Sequence, residues 1–192
     1  MQVAVIGDAR LESPELIKYA VDVGHVIATA GYHLVCGGLG GVMLDACRGF
    51  KQANNDSIKT IGILPGHQAA AANEFIDIVI PTGLDVGRNQ LVVASGFAAV
   101  VFGGGAGTLS EIALASQLGK PIILLKGSGG WADQLTMDYL DKRQNARLYP
   151  VHQLSELAPL LLHLENNTSN DKTSNNTSNN KTSGAINSGH NR

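Results

Sequence analysis

Short runs of consecutive apolar residues alternate with longer amphipathic stretches across residues 1–164, and this alternation leaves few possible architectures. Residues 3–7, 33–37, 60–64, 77–81, 98–103 and 121–125 read as strands, with a short one near 148–151. Several are apolar at successive positions rather than at every second one, as in parallel strands covered on both faces. Stretches at about 14–30, 40–53, 87–95, 108–118, 131–140 and 155–164 read as helices. Ser13 before Pro14 suits the first helix start, with Ser13 as cap and proline at the first helical position. Strand–helix alternation predicts the α/β class: a single Rossmann-like, doubly wound domain with a mostly parallel sheet. Ligands of such sheets bind beyond the carboxyl ends of the strands. The loops at 7–10, 37–41, 64–67 and 103–108 therefore become the candidates.

The composition breaks near Leu164. Residues 165–192 are mostly Asn, Ser and Thr, with Ala185 and Ile186 as their only aliphatic side chains. Within them NNTSNDKTS at 166–174 returns as NNTSNNKTS at 175–183. Such a segment buries too little apolar surface to offset its ordering entropy, so it is expected to be a disordered tail behind a domain of residues 1–164. Its Asn-x-Thr triplets carry no glycosylation meaning without a secretion signal.

Charge and cysteine content exclude several functions. Of the 192 residues, 14 are Lys or Arg and 16 Asp or Glu, a net charge of −2 that gives no general pull toward nucleic acid or an anionic membrane. Residues 89–110 contain no charged side chain, but Asn89, Gln90, Ser95 and the glycines make them a helix end, a strand and a loop rather than a membrane span. Cys36 and Cys47 form no framework and no zinc-type CxxC, and read as small buried residues. The six histidines show no paired metal spacing, so no metal is expected, and only His67 falls in a strand-end loop. No basic leader precedes the first strand, which makes the cytoplasm the expected compartment.

The loops differ in what they offer. The first, Gly7-Asp8-Ala9-Arg10, lacks the GxGxxG of a dinucleotide site, so neither NAD nor FAD is expected. Asp8 and Arg10 fit either a ligand crevice or a solvated turn. The second holds Gly37, Gly38, Gly40 and Gly41, which permit either close approach of backbone to a ligand or tight strand–helix packing. The last is the strongest. Gly103, Gly104, Gly105, Ala106, Gly107 and Thr108 follow an apolar strand and open an apolar helix. Unpaired amides and the helix dipole converge at such a start, which suits a phosphate. No lysine follows the glycines, which argues against the triphosphate loop of NTPases. Glu111 fits a capping box with Thr108, and equally a carboxylate facing a ligand. Arg88 lies near the start of the helix expected at 87–95, where the dipole disfavours a cation unless an anion or Asp85 offsets it; Asn89 adds a donor.

Gly104-Gly105-Ala106-Gly107-Thr108-Leu109-Ser110-Glu111 resembles the GGxGTxxE motif of the LOG-like (lonely guy, or SLOG) nucleotide-binding superfamily. The glycines at 37–41 resemble its second glycine loop, and Arg88-Asn89 resembles the branch that contains molybdenum-cofactor carrier proteins. The resemblance spans residues 1–164. It implies a phosphate-bearing small-molecule ligand and a homo-oligomer, dimer or tetramer, with Leu91, Val92 and Phe97 on a face that supports it. The cytokinin-activating phosphoribohydrolases of the superfamily cleave the N-glycosidic bond of a nucleoside 5′-monophosphate, and Arg88 and Glu111 match their catalytic pair. The chain departs from them in two places. Phe102-Gly103 stands where their motif begins with proline, and Gly87-Arg88-Asn89 where they carry Glu-Arg-Lys. These departures resemble the carrier branch, whose members bind the phosphorylated pyranopterin of the molybdenum cofactor without transforming it. The resemblance thus implies a carrier first, a phosphoribohydrolase second, and a nucleotide-sensing or interaction protein third. Gly7 and the glycines of both loops, with Ala106, Thr108, Arg88, Asn89 and Glu111, are the implied ligand contacts.

Overall fold

The structure, a computed structural model, describes residues 1–179, and side chains through Thr168. Seven strands form one sheet in the order β4-β3-β2-β1-β5-β6-β7, with every pairing parallel. They are β1 Gln2–Gly7, β2 His33–Cys36, β3 Thr60–Leu64, β4 Ile78–Pro81, β5 Ala99–Phe102, β6 Ile122–Leu125 and β7 Leu148–Val151. All seven fall where the apolar runs predict them.

The helices are α1 Pro14–Thr29, α2 Val42–Lys51, α3 Asn89–Ser95, α4 Ala106–Gln117, α5 Gly130–Gln134 and α6 Leu157–Asn179. The Ser13 side chain accepts from the Leu16 amide, and Pro14 opens α1, as the sequence predicts. Alternate residues of β1 serve opposite layers. Val3 and Val5 pack with α1, α2 and α6, whereas Ala4 and Ile6 pack with α3, α4 and α5. Both faces of the sheet are therefore apolar, which is why its central strands show no alternation.

Three helices differ from expectation. The helix expected at 131–140 stops at Gln134, because Lys126 Nζ donates to the carbonyls of Ala132 and Leu135 at 2.7 Å each and closes its end. The helix expected at 87–95 is split into a 3-10 turn, Asp85–Arg88, and α3. The last helix continues past Leu164 to Asn179, while residues 180–192 of the expected tail lie outside the described residues.

Leu157, Leu161 and Leu164 of α6 are buried, and Tyr32 Oη donates to Glu165 Oε2 at 2.7 Å. A chain ending at Glu165 keeps these contacts. Its thermal midpoint is expected to match that of the full chain, because the Asn/Ser/Thr repeats offer almost no apolar area to dock. A fall of several degrees on calorimetry would show that the repeats pack on the domain.

Candidate anion-binding site

The chain runs outward from β1 through β2, β3 and β4, then returns to the other side of β1 with β5. The order reverses between these two strands, and the loops leaving them diverge to open a crevice. Gly7 pairs with Phe102 across that switch point. A cleft of about 280 Å³ lies there, with Gly7, Asp8, Gly37, Arg88, Gly105, Gly107, Thr108 and Glu111 among its lining residues.

The floor of the cleft is the start of α4. Gly103 (φ 61°) and Gly104 (φ 105°) are both left-handed, a conformation glycine adopts without the Cβ penalty. Their turn brings the helix in at Ala106, with Gly105 as the capping residue and no side-chain cap. The amides of Ala106, Gly107 and Thr108 occupy the first turn, where no carbonyl of the helix can accept from them. A side chain at Gly105 or Gly107 would meet nothing within 4 Å, so these two backbones face open space.

That early start overturns the capping-box reading of Glu111. Thr108 is a buried first-turn residue packed beneath Gly104, and Glu111 lies in the second turn with its carboxylate turned to Arg88. Arg88 Nη1 lies 3.4 Å from Glu111 Oε1, and the two side chains are 12% and 9% exposed. Arg88 therefore pairs with Glu111 rather than Asp85. Gly37 makes room for it, since a Cβ there would collide with the guanidinium. Burial pushes the Glu111 carboxyl up to about 7, against the opposing pull of Arg88. Arg88 Nε is buried without a partner among the described residues. A long contact with an unsatisfied donor is a poor stabilising device, because desolvating both charges costs more than such geometry returns.

The other expected contacts lie behind the cleft. Asn89 Nδ2 donates to Ser110 Oγ at 3.0 Å, and Ser110 Oγ donates to the Gly107 carbonyl at 2.6 Å, so Asn89 braces the loop from its far side. Gly38 accepts at its carbonyl from the Asn73 amide, and Gly41 packs against the Asp8 backbone, where a Cβ would collide. Gly38, Gly40, Gly41, Gly104 and Ala106 thus shape the loops without lining the cleft, and of the second loop Gly37 alone reaches it. Asp8, which the sequence leaves open, does line it, and Oδ2 accepts from the Gly104 amide at 2.8 Å. Ser128 has no sequence signal for its role; Oγ accepts from the Gly103 amide at 2.8 Å and donates to the Leu125 carbonyl.

Cys36 and Cys47 are buried, as expected, with sulfurs 3.8 Å apart. Among the described residues no group of three His, Cys, Asp or Glu side chains could hold a metal ion. No described helix is long and apolar enough to cross a membrane. Of the face expected to support oligomers, Leu91 is exposed, but Val92 and Phe97 are core residues.

The profile of the SLOG cluster4 family matches residues 1–158. The chain belongs to that family. Several solved structures superpose on most of it. The structural-genomics protein TM1055 is 33% identical, with a TM-score of 0.78, over 85% of this chain and 99% of that one. The molybdenum cofactor binding protein of Rippkaea orientalis is 32% identical, with a TM-score of 0.72, over 84% and 95%. The molybdenum cofactor carrier protein of Chlamydomonas reinhardtii is 29% identical, with a TM-score of 0.71, over 84% and 96%.

Proposed function

We propose that this SLOG protein binds a phosphorylated, nucleotide-like small molecule, and that it is a molybdenum-cofactor carrier or storage protein. The observation that carries the reading is the α4 start: first-turn amides with no helical acceptor opening into a cleft that also holds a buried, unpartnered Arg88 Nε. The donor set suits a phosphate monoester, with Gly105, Gly107 and Thr108 supplying amides and Arg88 a charge-assisted contact. Gly37 makes room for that guanidinium, and Gly7 lines the same cleft at the end of β1. The molybdenum cofactor carries such a phosphate on its pterin, and it would be cargo rather than reagent. The similar proteins of Rippkaea orientalis and Chlamydomonas reinhardtii support this choice by what they bind.

A second reading has its own support. Glu111 is not spent on a cap, and a carboxyl near 7 beside an arginine suits proton transfer at neutral pH. Those are the groups a nucleoside 5′-monophosphate phosphoribohydrolase would use, Arg88 to orient the ligand and Glu111 to assist cleavage of the N-glycosidic bond. The missing acidic and basic neighbours of Arg88, replaced by Gly87 and Asn89, favour the carrier.

Turnover separates the two. Purified protein mixed with AMP is expected to release no adenine and no ribose 5-phosphate above background, and to bind the molybdenum cofactor and protect it from oxidation. Arg88→Ala is expected to weaken that binding about tenfold or more, the usual consequence of losing a hydrogen bond from a charged group. Base release by the native protein, abolished in a folded Glu111→Ala variant, would install the hydrolase instead.

We further propose a cytoplasmic homo-oligomer. Exposed Leu84, Val86 and Leu91, close in sequence to Arg88, replace Val92 and Phe97 as the apolar candidates for its interface.

A further inference from the structure

We propose that Asp8 is the positioning residue of the cleft: it holds Gly103 and Gly104 in their left-handed turn and so aims the α4 amides at the ligand. A carboxylate beside an anion site needs a reason, because its charge repels the ligand it borders. The hydrogen bonding supplies one. Asp8 Oδ2 accepts from the Gly104 amide at 2.8 Å, across 96 residues of chain. The same oxygen occupies the space that a Cβ on Gly103 would need. The Asp8 carbonyl meanwhile accepts from the Val42 amide at 2.9 Å, tying the first loop to the start of α2. One residue therefore joins the ends of β1 and β5 and the second glycine loop.

Among the described residues, the other hydrogen bonds that tie the turn to distant parts of the chain come from one side. Ser128 Oγ takes the Gly103 amide, while the carbonyls of Gly103 and Gly104 accept from Ala132 and Trp131. These partners all come from the segment after β6. Asp8 is the contact from the β1 side, facing the cleft. Two consecutive glycines have the widest conformational choice of any dipeptide. Without an acceptor at Asp8, Gly104 is free to leave the left-handed region, and the helix start would then move toward Thr108, where the local sequence signals put it.

The consequence for binding rests on the anion-binding reading above; the loop geometry does not. Two readouts keep them apart. Backbone amide exchange, followed by NMR, is compared in the native protein, Asp8→Ala and Asp8→Asn. Gly104 is expected to exchange about tenfold or more faster in Asp8→Ala, with Trp131 and Ala132 following, since a charge-assisted bond is lost. Asp8→Asn keeps a carbonyl acceptor and is expected to restore most of the protection. AMP affinity by calorimetry is expected to follow the same order, falling about tenfold in Asp8→Ala and much less in Asp8→Asn, with thermal midpoints close together.

Unchanged exchange at Gly104 in Asp8→Ala would overturn the proposal. So would tighter AMP binding in both variants, which would make Asp8 a simple repulsive charge, or equal losses in both, which would make it a direct ligand contact. If native protein binds no AMP, AMP is not a ligand of this cleft and the exchange data alone decide the role of Asp8.

Discussion

Gly107→Val is expected to leave the fold intact and to abolish binding of a phosphate-bearing ligand. A Cβ at this position meets nothing within 4 Å, and the backbone is already helical, so the domain accommodates the side chain. The helix itself loses nothing by the change, because valine is a better helix former than glycine. Gly107 lines the cleft whose floor is the first turn of α4, and no side chain caps the amides there. A phosphate excluded from that floor loses two or more charge-assisted contacts, each worth about 1.5–3 kcal/mol. Affinity should fall about 100-fold or more, with circular dichroism and the thermal midpoint nearly unchanged. Retained affinity in a folded variant would move the site away from α4.

Glu111→Gln should change the pH dependence of both stability and anion binding. The folded protein holds the Glu111 proton more tightly than the unfolded chain does, with a value near 7 against the ordinary 4.5. A group raised in the fold contributes stability that is fully present below its unfolded value and lost as pH climbs through its folded one. Stability should therefore decline between about pH 4.5 and pH 7 by on the order of 3 kcal/mol from this carboxyl. The amide that replaces it in Glu111→Gln does not titrate, so urea unfolding at pH 5 and pH 8 should show the variant gaining on the native protein by that order. Binding follows the same sign. Below pH 7 the carboxyl is neutral and Arg88 is left to the anion; above it, the carboxylate 3.4 Å away competes for the guanidinium. Sulfate, whose charge is constant over this range, should bind native protein more tightly at pH 6 than at pH 8, and bind the Glu111→Gln variant with little pH dependence. Parallel profiles for native and variant proteins would mean that Glu111 is ionised across the range.

Much of the architecture is written locally. Residues 99–102 are apolar at every position because β5 is covered on both faces, and the same pattern marks β6. Ser13-Pro14 marks the start of α1 through a cap and a preset φ, neither of which needs the rest of the fold. The glycines before α4 and the absence of a following lysine point to an anion rather than a metal-bound triphosphate. Local patterns of this kind also carried the family resemblance, because GGxGTxxE is contiguous in the chain.

The same locality misreads Glu111. Thr108-x-x-Glu111 is a sound capping box as a string, and would act as one if the helix began at Thr108. It begins earlier because Gly103 and Gly104 turn left-handed, held by Asp8 from the end of β1 and Ser128 from beyond β6. Arg88 meets Glu111 from 23 residues away, in a space left by Gly37 on a third strand end. Asn89 looks like a ligand contact beside Arg88, yet the turn from 3-10 to α-helix between them sends it to Ser110. Hydrophobic periodicity, caps and glycine turns are short-range physics, and the sequence by itself determined the strands, the sheet class and the glycine loop that opens α4. Which way a helix start points, which charges share a buried cleft and what burial does to a carboxyl depend on groups brought together only when β5 returns beside β1, so the tertiary structure alone decided them.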